Sequence, residues 1–313
     1  MVIDTILLGD CRETLKEFGD TKARMCVTSP PYYGLRDYGG ENSQIGQEQT
    51  PEEYIQNLVS VFRSVRDVLS DDGTLWVNIG DSYYNYRPGK GQSYPKQSVS
   101  KTNQDLPQQC NKRGRKLEGL KEKDLIGIPW MLAFALRADG WYLRQDIIWH
   151  KPNPMPESVR DRCTKSHEYI FLFSKNKKYY YDNEAIKEPA RDWGTRDRSK
   201  GKYHNAGSGL SPHTGLSKSY ATKNKRSVWS VTNKPYKGAH FAVYPPDLIE
   251  PCIKAGSEEG DIVLDPFMGS GTTALVAKSL QRHYIGCELH EEYGRLIQKR
   301  LSEKSFARLD FNE

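Results

Sequence analysis

The chain predicts a doubly wound α/β fold, a mostly parallel sheet with helices on both faces, and three observations carry that expectation. Seven short apolar runs are spaced along it, helical patterns stand between several of them, and 313 residues suffice for one large core with an inserted lobe to spare.

The runs are TILLG (5–9), ARMCVT (23–28), TLWVNI (74–79), RQDIIWH (144–150), EYIFLFS (168–174), DIVLD (261–265) and HYIGCE (283–288). All are strand-length and rich in β-branched or aromatic residues. Among the helical patterns, PEEYIQNLVSVFRSVRDVL puts Pro51 at a first turn, PWMLAFALRADG closes on Gly140, and TTALVAKSLQR follows a glycine turn. A further one, HEEYGRLIQKRL, sets Tyr293, Leu296, Ile297 and Leu301 on a buried stripe and its acids on a solvated face. The runs at 144–150 and 168–174 have no helix between them, which predicts an antiparallel pair at one edge of the sheet. No repeat of solenoid period is present.

Composition excludes some classes. No apolar run approaches the roughly 18 residues of a membrane span. The start MVIDTILLGD has neither a basic lead nor a small-residue cleavage site, so a cytoplasmic location is expected. Six cysteines at 11, 26, 110, 163, 252 and 287 form no CxxC and read as reduced, mostly buried thiols. Cys163 with His167, and His283 with Cys287, could each be half of a metal site, but both pairs lie in or beside strand-like runs, and no metal is expected. Cys252 follows a proline as some catalytic cysteines do, yet its apolar setting LIEPCIKAG assigns it to the core.

The net charge of +6 is unevenly distributed. Residues 84–123 carry ten Lys and Arg against three acids, and residues 187–240 twelve against three, leaving an acidic remainder. Both basic segments interleave aromatics, as in RDWGTRDRSKGKYH and KRSVWSVTNKPYKGAHF, where a purely solvating tract would have few. That pattern suits a surface facing nucleic acid.

The cofactor signal lies in DIVLDPFMGSGTTALVAKSLQRHYIGCELHEEY. One strand ends in Asp265, a turn follows at Gly269 and Gly271, a helix begins, and the next strand ends in Glu288. Glycines there let backbone N–H groups and a helix N-terminus approach a polar ligand, and an acid ending the next strand can accept both hydroxyls of a ribose. The turn is not a phosphate-binding Walker loop, because no Lys follows Gly271. It does scan as G-x-G-x-x-A through Ala274, so a nicotinamide dinucleotide stays open as a rival.

DPFMGSGTT together with TSPPYYG resembles the S-adenosylmethionine-dependent DNA methyltransferases that modify exocyclic amino groups. In most relatives the cofactor loop comes first. Here SPPY precedes it by over 200 residues, which resembles the permuted beta class, and the likeness covers nearly the whole chain. It implies a Rossmann-like, seven-stranded, circularly permuted methyltransferase sheet with an inserted target-recognition region. The implied divisions are a catalytic half at 1–83, a basic insert without family counterpart at 84–123, the rest of the catalytic half at 124–186, the recognition region at 187–237 and the cofactor half at 238–313.

The same likeness implies roles. Asp10 and Cys11 would border the cofactor adenine, Asp265, Phe267, Gly269, Ser270, Gly271, Thr272 and Glu288 would form its cradle, and His240 and Phe241 would belong to the segment closing over its methionine end. An exocyclic amine is a poor nucleophile because its lone pair is delocalised into the ring. Ser29 and the Pro30 carbonyl would accept its two protons and make it tetrahedral, Pro30 and Pro31 would fix that carbonyl's direction, and Tyr32 would stack on a base flipped out of the duplex. Arg191, Arg196, Arg198, Lys223, Lys225 and Arg226 are expected to contact double-stranded DNA. A cognate restriction endonuclease and a homodimer are possible partners. Ser at position 29 favours N4 of cytosine, with N6 of adenine the alternative. Two readings from other classes remain: a nicotinamide oxidoreductase, which leaves SPPY and the basic inserts idle, and a non-enzymatic DNA-binding protein, which leaves the cofactor unit idle.

Overall fold

A computed structural model describes residues 3–34, 44–84, 117–190, 221–233 and 244–303. All seven expected strands form: β1 (Thr5–Leu8), β2 (Ala23–Thr28), β3 (Leu69–Ile79), β4 (Tyr142–His150), β5 (His167–Ser174), β9 (Ile262–Asp265) and β10 (His283–Glu288). Three further short strands, β6 (Glu188–Pro189), β7 (Thr222–Lys223) and β8 (Val228–Ser230), come from the segment assigned to recognition. β6 and β7 pair only with each other, whereas β8 joins the main sheet, which has eight strands in the order β1-β10-β9-β2-β3-β5-β4-β8. The expected antiparallel pair is present as β4 and β5, with β8 parallel to β4 on its outer side, so β4 is not the edge. β5 alone runs against the other seven.

Alternation along the strands divides the core between the two faces. Cys26, Leu75, Val77, Phe171 and Phe173 point to one side, and Met25, Val27, Trp76, Ile170 and Leu172 to the other. On the first side lie α1 (Cys11–Thr14), a 3₁₀ turn at Leu15–Phe18, α2 (Pro51–Val68) and α3 (Ile128–Ala138). On the second lie α4 (Pro246–Gly256), α5 (Thr272–Ser279) and α6 (Glu291–Glu303). α2 starts where Pro51 predicts: the Thr50 hydroxyl accepts from Glu53 N at 3.2 Å, and the Glu53 carboxylate reaches back to Gln49 N at 3.0 Å. Cys252 is fully buried in α4, as its apolar setting requires, and Ile297 and Leu301 anchor α6.

The order of connections matters most for function. From β9 the chain passes through α5 to β10 on one side, and from β2 it passes through α2 to β3 on the other. The neighbours β2 and β9 therefore flank a topological switch point, where a crevice opens at the carboxyl ends of the strands. Among the described residues no helix is long and apolar enough to cross a membrane.

Candidate active site

Thr28 ends β2 immediately before Ser29-Pro30-Pro31-Tyr32, and Asp265 ends the adjacent strand β9 immediately before the glycine turn. The Thr28 hydroxyl donates to Asp265 Oδ1 at 2.6 Å, joining two motifs 237 residues apart in sequence. Asp265 is 1% exposed and fully engaged: it also accepts from Phe267 N at 3.0 Å, the Tyr244 hydroxyl at 3.0 Å and the Thr273 hydroxyl at 2.5 Å. Burial pushes its carboxyl up, and the bonds from Thr273, Thr28, Phe267 and Tyr244 oppose that shift. Its carboxylate is thus the floor of the crevice and not a free arm within it.

Beyond Asp265 the chain turns through Gly269 and Gly271, both at positive φ, and Gly271 caps α5. A Cβ on Gly271 would stand 2.7 Å from Ile297 Cγ2 on α6, so both the backbone twist and the close helix approach demand glycine. Arg300 of α6 holds the turn from behind, donating to the Ser270 carbonyl at 2.7 Å and to the Ser270 and Thr272 hydroxyls at 3.0 and 3.3 Å. Glu288, at the end of β10, is 7% exposed and accepts from Gly269 N at 2.9 Å and His290 N at 3.0 Å. Its carboxyl is pushed up to about 7, chiefly by burial. On the next strand, Leu8 is in register with Glu288 and Gly9 N donates to the Glu288 carbonyl at 2.9 Å, which brings Asp10 to the same end.

The structure therefore gathers Asp10, Asp265, Phe267, Gly269, Ser270, Gly271, Thr272 and Glu288 along one crevice. Asp10 caps α1 and is gripped by Arg12, which holds its carboxyl below the usual range, and the Cys11 thiol turns into the core beside Cys287. A helix N-terminus and a buried carboxyl suit a ligand with an amino-acid end and a ribose diol, while the Ser270 and Thr272 hydroxyls face Arg300 behind the turn. His240 and Phe241 lie outside the described residues, but Tyr244, a few residues on, reaches Asp265.

On the other side of the switch point, the Tyr54 hydroxyl of α2 donates to the Pro31 carbonyl at 2.8 Å, while no donor among the described residues takes the carbonyl of Pro30. Ser29 is half-buried at the strand end. Tyr32 is half-buried, with its hydroxyl donating to Glu168 Oε2 at 2.7 Å, and a small pocket beside it is lined by Tyr32, Tyr33, Gly80, Asp81, Ser82 and Ile128. Glu168, Lys151, Tyr244 and Arg300 carry no catalytic motif: strand register places the first two here, and the packing of α4 and α6 on the sheet places the others.

Of the expected DNA contacts, Arg191, Arg196 and Arg198 and most of the 84–123 insert lie outside the described residues. Lys223 and Arg226 flank Glu188 at 4.0 and 3.3 Å, and Lys225 stands over the Trp229 ring at 5.0 Å. Glu188 thus offsets part of this basic cluster. No three His, Cys, Asp or Glu side chains among the described residues converge to hold a metal ion.

A crevice at the switch point, with a buried carboxyl on one side and an SPPY corner on the other, defines an S-adenosylmethionine-dependent DNA methyltransferase. The sequence profile of the N6/N4 DNA methylase family matches residues 23–299, and the chain belongs to that family. It is 48% identical over 296 residues to the Type II methyltransferase M.SmaI of Serratia marcescens, covering 95% of this chain and 90% of that protein. To M.XycI of Xanthomonas campestris pv. cyanopsidis it is 46% identical over 297 residues, covering 95% and 87%. Among solved structures, the cytosine-N4-specific PvuII DNA methyltransferase aligns with a TM-score of 0.64 at 18% identity over 98% of this chain and 89% of that one. The complex of M1.HpyAVI with S-adenosylmethionine aligns with a TM-score of 0.53 at 19% identity over 95% and 98%.

Proposed function

We propose that the protein methylates N4 of cytosine in duplex DNA. The observation that carries the reading is the hydrogen bond from Thr28 to Asp265, which sets the SPPY corner directly beside the cofactor crevice. Serine at position 29 and the fold shared with a cytosine-N4-specific enzyme favour cytosine over adenine. Bound at the crevice, S-adenosyl-L-methionine supplies a methyl group on a positively charged sulfur. Glu288 would hold the ribose hydroxyls, the N-terminus of α5 would receive the carboxylate end, and Asp10 would stand beside the adenine. Ser29 Oγ and the Pro30 carbonyl accept the two amine protons, drawing them out of the ring plane so that the nitrogen lone pair localises. Tyr54 occupies the Pro31 carbonyl and braces the corner from α2. Tyr32 offers its ring to the extruded base in the pocket with Gly80 and Ile128.

Residues 187–237 act as the recognition region, with a restriction endonuclease of the same specificity as the natural partner. Expression in a host lacking DNA methylation, followed by nucleoside mass analysis, is expected to yield N4-methylcytosine. N6-methyladenine would move the target to adenine, and 5-methylcytosine would overturn the mechanism.

Two outcomes follow from the charges. The Glu288 carboxyl holds its proton more tightly in the fold than in the unfolded chain, so its contribution to stability is full at low pH and is lost as pH rises to about 7. Ribose binding needs the carboxylate, so S-adenosylmethionine affinity is expected to weaken by up to about tenfold per pH unit below 7, and titration calorimetry should find that slope abolished in Glu288→Gln. Replacing Lys223, Lys225 and Arg226 by Ala should weaken DNA binding and flatten its salt dependence by about one log-log unit per lost phosphate contact, with cofactor affinity unchanged. An unaltered slope removes these three from the interface.

A further inference from the structure

Glu168 lies where three strands meet the SPPY corner. β3 and β5 pair so that Asn78 faces Ile170 and Ile79 faces Tyr169, which brings Glu168 level with the start of the loop after β3. Its carboxylate accepts from the Tyr32 hydroxyl at 2.7 Å, from Asn78 Nδ2 at 3.3 Å and from Lys151 Nζ. The Lys151–Glu168 pair is mostly buried, with side chains 17% and 15% exposed, and the ammonium also sits 4.2 Å from the centre of the Trp149 ring. Asn78 is itself fixed, donating to the Tyr169 carbonyl at 3.1 Å. A second constraint acts on the ring: a Cβ on Gly80 would stand 2.7 Å from Tyr32 Cε2 and 3.3 Å from Cδ2 and Cζ. Only a glycine lets the Tyr32 ring lie against the backbone there.

We propose that Glu168 is a positioning residue for the base pocket: fixed by Lys151 and Asn78, it holds the Tyr32 ring by its hydroxyl against Gly80 and sets the direction of that hydroxyl's proton. A carboxylate paired with Lys151 has no hydrogen to give, so the phenol donates to it at 2.7 Å, with a longer approach of 3.4 Å to the Asn78 Oδ1 acceptor. One buried ion pair thus fixes the orientation of the stacking ring. A ring held at its hydroxyl and against the backbone of Gly80 is also rigid, and near-attack geometry rewards rigidity.

The inference rests on the reading of Ser29 and Tyr32 as base-facing, and the test separates the two. With the full-length protein and a duplex carrying its mapped methylation site, kcat, KM for DNA and Kd for S-adenosylmethionine are measured for Tyr32→Ala, Tyr32→Phe, Glu168→Gln and the Phe/Gln double variant. Tyr32→Phe and Glu168→Gln are each expected to lower kcat by about 10- to 100-fold with cofactor Kd unchanged. In the double variant the two losses should not multiply, because they break the same bond. Multiplying losses, or full turnover in Tyr32→Phe, would overturn the positioning role. Tyr32→Phe leaves the Lys151–Glu168 pair intact, so the test holds even where Glu168→Gln fails to fold. If Tyr32→Ala turns over like the wild type, the base-pocket assignment itself is wrong.

Discussion

Ser29→Ala lowers kcat by about 10² to 10³-fold and leaves the affinity for S-adenosylmethionine within about twofold of wild type. The magnitude is that of removing one preorganised hydrogen-bonding group that strengthens as the reacting atom changes geometry. The selectivity comes from the layout: Ser29 emerges from β2 on one side of the switch point, whereas the glycine turn and Glu288 lie on the β9 and β10 side. Single-turnover kinetics with saturating cofactor, alongside calorimetric cofactor titration, measures both quantities. Equal loss of kcat and cofactor binding would mean that the SPPY corner supports the crevice and does not act on the base.

Asp265→Ala should fail differently, by losing cofactor binding and stability together. From the sequence alone the same change reads as a pure binding defect. The structure shows Asp265 taking bonds from Thr28, Thr273, Tyr244 and the Phe267 amide, so alanine would leave the Thr28 hydroxyl, the Phe267 amide and one of the mutually bonded Tyr244 and Thr273 hydroxyls without an acceptor. At about 1 to 3 kcal/mol for each orphaned group, with partial relaxation, the loss is about 3 to 5 kcal/mol, enough to lower Tm by roughly 5 to 15 °C. Scanning calorimetry checks the stability and isothermal titration the binding. A Tm equal to that of wild type would show that the cluster relaxes without cost and that Asp265 serves the cofactor alone.

The strands that carry the site were legible because each is an uninterrupted apolar run, and Ser29, Asp265 and Glu288 because each ends such a run. What was hidden lacks that contrast. β8 is three residues long and buries Trp229 between exposed neighbours, so it carries no periodic signal. α4 contains Pro251 and opens on two prolines, which disguises a buried helix as a loop. Leu69 to Gly73 extend β3 through LSDDG, whose composition reads as a turn. Glu168 and Lys151 look like ordinary strand-end charges until the β3–β5 and β4–β5 registers bring them to Tyr32.

The pairing of β2 with β9 also sets a timetable for making the protein. β2 lies in the centre of the finished sheet, yet one of its two neighbours is encoded some 237 residues later. At about 5 to 20 residues per second, the ribosome leaves that strand with one open edge for about 10 to 50 s after it is made. During that interval the nascent chain can dock β3 and α2 but cannot close its centre, and an apolar ARMCVT edge is open to pairing with other chains. Chains that terminate before Asp261 should therefore accumulate as aggregates, because the strand that seals the middle of the sheet is synthesised so long after β2.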